Sequence, residues 1–136
     1  MMRIDIEVPM SLPTRANWGS KGHWHRAKLV SEQHRAMALW FAQVSKPGLP
    51  ATVQLTRVSP RELDQDNLRG ALKATVDFLA AWLGLPNDRD PRVRWLYGQA
   101  KGAKKHQALR VTIVDRQYDC PACGAALLHD PISPCE

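Results

Sequence analysis

Apolar residues recur along this chain at two spacings, and the points where one gives way to the other set the order of its elements. A period of two marks a strand with one buried face; a period near 3.6 marks a helix. From Arg3 to Val8 the period is two, with Ile4, Ile6 and Val8 on one side and Arg3, Asp5 and Glu7 on the other. Pro9 and Pro13 end that strand, since proline has no N–H to give to a ladder. Met37, Trp40, Phe41 and Val44 then fall at i, i+3, i+4 and i+7, a helical stripe with Ser31 as the expected N-cap and Pro47-Gly48 beyond its end. Ala51 to Val58 alternates again, Val53 and Leu55 against Thr52, Gln54 and Thr56. Asn67 to Leu83 reads as a long helix stopped by Gly84. Two more strands follow, Arg92–Gln99 carrying Val93, Trp95 and Tyr97, and Gln107–Val114 carrying Leu109, Val111 and Ile113. The link between them is short, which predicts an antiparallel hairpin. The expected class is α/β: a small mixed sheet of about four strands with two main helices packed against it, in the order β-α-β-α-β-β.

That pattern fills residues 1–115, one domain of ordinary size, and changes near Arg116 to a tail over 116–136 rich in cysteine and proline. There is no internal repeat. Apolar residues make up 44% of the 136, enough for a packed core. No apolar run approaches a membrane span, and the alternating start is no secretory signal, so a cytoplasmic location without membrane attachment is expected. The formal net charge of +6 favours polyanionic partners, nucleic acid first, although many small basic domains bind none. The charge gathers in two segments. One is Arg15, Lys21, His23, His25, Arg26 and Lys28, interleaved with Trp18 and Trp24 and read as a loop; the other is Lys101, Lys104, Lys105 and His106. Lysine and arginine so placed give DNA affinity that falls with salt. The tryptophans either stack on unpaired bases or belong to the core.

The acidic residues are more specific. Asp64 and Asp66 lie two apart, on the same side of an extended segment, and Asp66 stands where a helix N-cap is expected. Wound at about 100° per residue from Asp66, Lys73 comes to roughly −20°, Asp77 to roughly +20° and Gly70 to roughly +40°. Leu68, Leu72, Val76, Leu79 and Leu83 gather on the opposite side. Clustered carboxylates repel unless a cation or proton intervenes, and Mg²⁺, with its preference for oxygen and its retained waters, suits phosphate chemistry. A lysine beside them can stabilise charge developing on phosphorus. The plain alternative is a solvated helix face with turn and cap residues before it.

The stretch Arg61-Glu-Leu-Asp64-Gln-Asp66-Asn67-Leu68, with Ala71-Leu72-Lys73, Asp77 and Leu85-Pro-Asn-Asp88, resembles the signature of the RusA-type Holliday junction resolvases of bacteria and phages. The resemblance runs over roughly residues 3 to 114, element by element. It implies a Mg²⁺-dependent endonuclease, homodimeric, that cuts symmetric strands of a four-way junction in DNA recombination and repair. It implies catalytic roles for Asp64, Asp66, Lys73 and Asp88. The Mg²⁺ ligands would be Asp64, Asp66 and Asp88, with Asp77 or Asp90 as further candidates. The two basic segments supply the positive charge that DNA binding requires, through Arg15, Lys21, Arg26, Lys28, Lys101, Lys104 and Lys105. The chain departs from the family's best-known form at two places: Gly70 stands one turn after Asp66, with the lysine a turn later at Lys73, and the family's paired acidic turn reads Asn87-Asp88, with Asp90 close by. The competing expectation is a non-catalytic nucleic-acid-binding protein that uses the basic segments and a zinc-binding tail.

The tail holds all three cysteines. Cys120, Cys123, His129 and Cys135 provide four ligands for a tetrahedral Zn²⁺, and Cys-x-x-Cys-Gly is a common zinc-knuckle turn. A tail with incidental thiols, or a redox pair, fits the same spacing.

Overall fold

The computed structural model describes residues 2–13 and 22–115. The expectations for Arg15, Trp18, Lys21, the Trp24 side chain and the zinc ligands Cys120, Cys123, His129 and Cys135 lie outside the described residues. The chain forms β1 (Arg3–Pro9), α1 (Gly22–Phe41), β2 (Ala51–Ser59), α2 (Gln65–Trp82), β3 (Val93–Lys101), one 3₁₀ turn (Lys104–His106) and β4 (Ala108–Val114). This is the expected α/β class and element order: a mixed four-stranded sheet with two helices. Among the described residues no helix is long and apolar enough to cross a membrane.

The strand order is β1-β4-β2-β3, with β4 antiparallel to both β1 and β2, and β2 parallel to β3. The expected hairpin between the last two strands is therefore absent. β3 and β4 do run in opposite directions, but β2 separates them. Their link crosses the end of β2, a step of about two strand spacings, near 10 Å, which six residues span easily. The crossing is close. Gly102 N–H donates to the Ser59 carbonyl at 3.2 Å, and a Cβ on Gly102 would stand 2.6 Å from Val58 Cγ1, so only glycine fits there. β4 lies between β1 and β2, with Leu109, Val111 and Ile113 at most 1% exposed.

Register builds the core in rows across the sheet. Ile4, Ile113, Val53 and Trp95 form one; Ile6, Val111, Leu55 and Tyr97 the next; Val8, Leu109, Arg57 and Gln99 the third. The third row begins apolar and ends polar, at the corner that carries the candidate site. Against these rows α2 sets Leu68, Leu72, Val76 and Leu79, all buried. Each such side chain contributes about 1.5–3 kcal/mol. The two helices meet through Phe41, whose ring stands edge-on to Trp82 at 4.9 Å and to Phe78 at 6.2 Å between centroids.

α1 begins at Gly22, nine residues before the expected Ser31 cap, so His25, Arg26 and Lys28 are helical and not part of a loop. At the other end of the molecule α2 stops as expected. Gly84 has φ +81°, its N–H donates to the Ala81 carbonyl and that of Leu85 to the Ala80 carbonyl, which is the Schellman pattern.

Candidate active site

β1 and β2 both run antiparallel to β4, and β3 runs parallel to β2, so the carboxyl ends of three strands share one edge of the sheet. Pro9, Ser59 and Lys101 mark that edge. In open α/β sheets it is the edge where ligands bind.

Asp64 opens α2 there. It is the N-cap, a place the sequence pattern gives to Asp66: its Oδ1 accepts the Asn67 N–H at 2.8 Å, and Asn67 Nδ2 donates to its Oδ2 at 3.1 Å. Asp66 falls instead in the first helical turn, exposed, where a carboxylate also suits the helix dipole. The approach to Asp64 is held by two side chains. Gln99 on β3 accepts the Leu63 N–H and donates to the Leu63 carbonyl, both at 2.7 Å. Arg57 on β2 donates from Nε to the Leu12 carbonyl at 3.0 Å and from Nη1 to the Arg61 carbonyl at 2.7 Å. Burial lowers the Arg57 pKa, yet no charge partner is needed, because two carbonyls receive its donors.

A second group forms farther along α2. Lys73 Nζ lies 2.8 Å from Asp88 Oδ2 and 3.0 Å from Asp77 Oδ1. The hydrogen bond to Asp88, then that to Asp77, raises the Lys73 pKa, so the ammonium persists; in return Lys73 lowers the Asp88 pKa against a smaller opposing effect of burial. Tyr97 belongs to this group. Burial, and next the Asp88 charge, raises its phenol pKa, while the Arg69 guanidinium lies 5.7 Å from its ring centroid. Asp90 does not join. Both its oxygens face Arg92, at 3.0 and 2.8 Å, and that bond holds its pKa down at about 2.

The structure thus brings Lys73, Asp77 and Asp88 together, and sets Asp66 toward the other end of the same helical face, with Asp64 at the cap before it. Asp66 and Lys73 are separated by about 10 Å along the helix axis. Among the described residues no three His, Cys, Asp or Glu side chains are grouped closely enough to enclose a metal ion. The donor chemistry still suits Mg²⁺, which takes one or two protein carboxylates and completes its shell with water and phosphate oxygens. Asp66 offers such a carboxylate, exposed and, among the described residues, without a side-chain hydrogen bond or ion pair.

Of the basic residues, Arg26, Lys28, Lys101, Lys104 and Lys105 are exposed. Lys101 ends β3, and Lys104 and Lys105 form the turn beyond it, so three of the five stand at the edge where α2 begins. Four contributors escape the sequence pattern: Arg57, Arg69, Tyr97 and Gln99. Arg69 carried a signal, since it falls at roughly −60° on the helical wheel, beside Lys73. Gln99 and Arg57 carried none, because each acts on a backbone remote in sequence. Models of known protein families give no match to this chain, and no curated protein matches it in sequence.

Proposed function

We propose that this chain is a Mg²⁺-dependent DNA endonuclease. The observation that carries the reading is the single polar face of α2: Asp64 and Asp66 at its start and Lys73 locked against Asp88 further on, beside an edge fringed with lysines. The motif's likeness to the RusA-type resolvases narrows the proposal to resolution of four-way junctions by paired phosphodiester hydrolysis, with two subunits each supplying one site.

Asp66, with Asp64 where its capping role allows, would hold the metal, while Asp88 keeps its bond to Lys73. Bound Mg²⁺ supplies a water of lowered pKa and offsets charge on the phosphate oxygens. Lys73 remains a cation at neutral pH and is oriented by Asp77 and Asp88, so it can face an anionic phosphorane without first ordering a free side chain. Arg69, spread over Tyr97, presents a second cation to the phosphate. Lys101, Lys104 and Lys105 give sequence-independent grip on the backbone.

A non-catalytic nucleic-acid-binding reading draws on one observation: Lys73 is already neutralised by two carboxylates, as on a solvated helix face. The two readings part on Asp66→Asn. The nuclease reading expects Mg²⁺-dependent cutting of junction DNA by the wild type, loss of cutting in the variant, and DNA binding by both. Normal cutting by Asp66→Asn would remove that residue from the site. Binding with a steep salt slope and no cutting by the wild type would favour the binding module.

A further inference from the structure

β1 is an edge strand: among the described residues it pairs with β4 alone. The Asp115 N–H donates to the Met2 carbonyl at 3.2 Å, one step beyond the Arg3–Val114 pair. Bonded and non-bonded pairs alternate along an antiparallel ladder. Ile4, Ile6 and Val8 therefore exchange their bonds with β4, and Arg3, Asp5 and Glu7 turn their N–H and C=O groups outward. An open edge of this kind is a template for another strand. An apolar strip runs beside it. Ile4 and Ile6 pack toward the core yet are only half-buried. Leu29 and Ala36 of α1 border the same cleft as Pro9 and Met10 at the end of β1, and Trp40, one turn after Ala36 on that flank, is 46% exposed.

We propose that this edge is an interaction surface for a second copy of the chain, whose β1 adds antiparallel across a twofold axis at Asp5. The proposal rests on strand geometry and not on the DNA-directed reading, to whose two-subunit arrangement it gives a surface. A twofold contact must be self-complementary, and this register is. It sets Arg3 opposite Glu7 of the second copy, Asp5 opposite Asp5 and Glu7 opposite Arg3, each pair exchanging two backbone hydrogen bonds. On the helix side it sets Ile4 opposite Ile6, and Ile6 opposite Ile4. The existing side-chain bonds are compatible with it. Glu7 accepts from Arg110 Nε through Oε1, which leaves Oε2 for Arg3 of the second copy. Arg3 bonds Asp5 through Nε and carries further donors on its two Nη groups. Asp5 accepts from Arg3 at 2.9 Å and from Thr112 Oγ1 at 2.8 Å, so both carboxylates that face each other at the axis are already partnered. β3, the other edge strand, has only basic charged side chains, Arg94 and Lys101, and offers a second β3 no opposite charge.

The test is sedimentation velocity of the intact chain over a concentration series. The wild type should associate to a dimer. Arg3→Glu and Glu7→Arg each set like charges opposite one another twice per dimer, and each should raise the dimer Kd about tenfold. Mixed in equal amounts, the two variants should associate about as tightly as the wild type, because every such pair is then opposite in charge; restored association also shows that both are folded. Asp5→Pro removes an outward N–H that β4 does not use, so its circular dichroism should match the wild type while its dimer is lost. A dimer that survives Asp5→Pro, or folded charge variants that gain nothing on mixing, overturns the β1 surface and leaves a two-subunit protein joined elsewhere. A wild type that stays monomeric at every concentration overturns the β1 surface and the two-subunit arrangement together, while junction cleavage tests the nuclease reading separately.

Discussion

Replacing Gln99 with leucine removes both amide bonds that pin Leu63, the residue before Asp64. Each bond contributes about 1 kcal/mol net. Leu63 is only half-buried, so its freed N–H and C=O regain water in part, and the expected loss is about 2–3 kcal/mol. At roughly 4 °C per kcal/mol for a domain of this size, the thermal midpoint should fall by about 8–12 °C, readable by circular dichroism. Gln99→Glu sharpens the test. Its carboxylate still accepts the Leu63 N–H but sets a second oxygen against the Leu63 carbonyl. Protonated, it can donate there again. Its folded pKa should therefore lie above the unfolded value of about 4.3, and its stability relative to wild type should be lost as pH rises through that folded pKa. Below about pH 4.3 the variant should match the wild type at the same pH most closely. A Gln99→Leu midpoint within about 1 °C of wild type would refute the reasoning, since it would show that water replaces both bonds without loss.

The cap and site roles of Asp64 separate by chemistry. Asp64→Ala should cost about 1 kcal/mol in urea unfolding, whereas Asp64→Ser, which still caps, should hold within a few tenths; both should lose cleavage, and a fully active serine variant would leave Asp64 a cap alone. In Lys73→Met, an NMR titration should find the Asp88 pKa raised toward the ordinary value of about 3.9, because the cation that lowers it is gone. In the wild type this pair stabilises the fold fully above about pH 3.9 and less as pH falls through the lower folded value; an Asp88 titration unchanged by the substitution would break the Lys73–Asp88 link. Gly70→Lys should stabilise α2 by up to about 1 kcal/mol and, by restoring the one-turn spacing after Asp66, raise cleavage; unchanged cleavage would show that Lys73 already serves.

Much of the fold was legible because its elements are strongly patterned. The alternations in β1 and β2, the apolar face of α2 and its stop at Gly84 all stand where the pattern puts them. α1 was half hidden because Gln33 fills a core position that periodicity expects to be apolar, which cuts the visible stripe back to Met37. Strand order was hidden for another reason: a short link permits either a hairpin or a step across one strand. The pairing of β4 with both β1 and β2 depends on strands remote in sequence. Within the site, the helical wheel gathers Lys73 with Asp77, and the structure pairs them. It could not bring in Tyr97, Gln99 or Arg57, which reach α2 and its approach through sheet register.

The central claim is tested most directly by incubating end-labelled four-way junction DNA with the protein, beside linear duplex of the same sequence, with and without Mg²⁺. Paired, symmetric nicks on the junction alone, and only with metal, are the predicted result. Tight binding of the junction with no nicks under any divalent metal would contradict it.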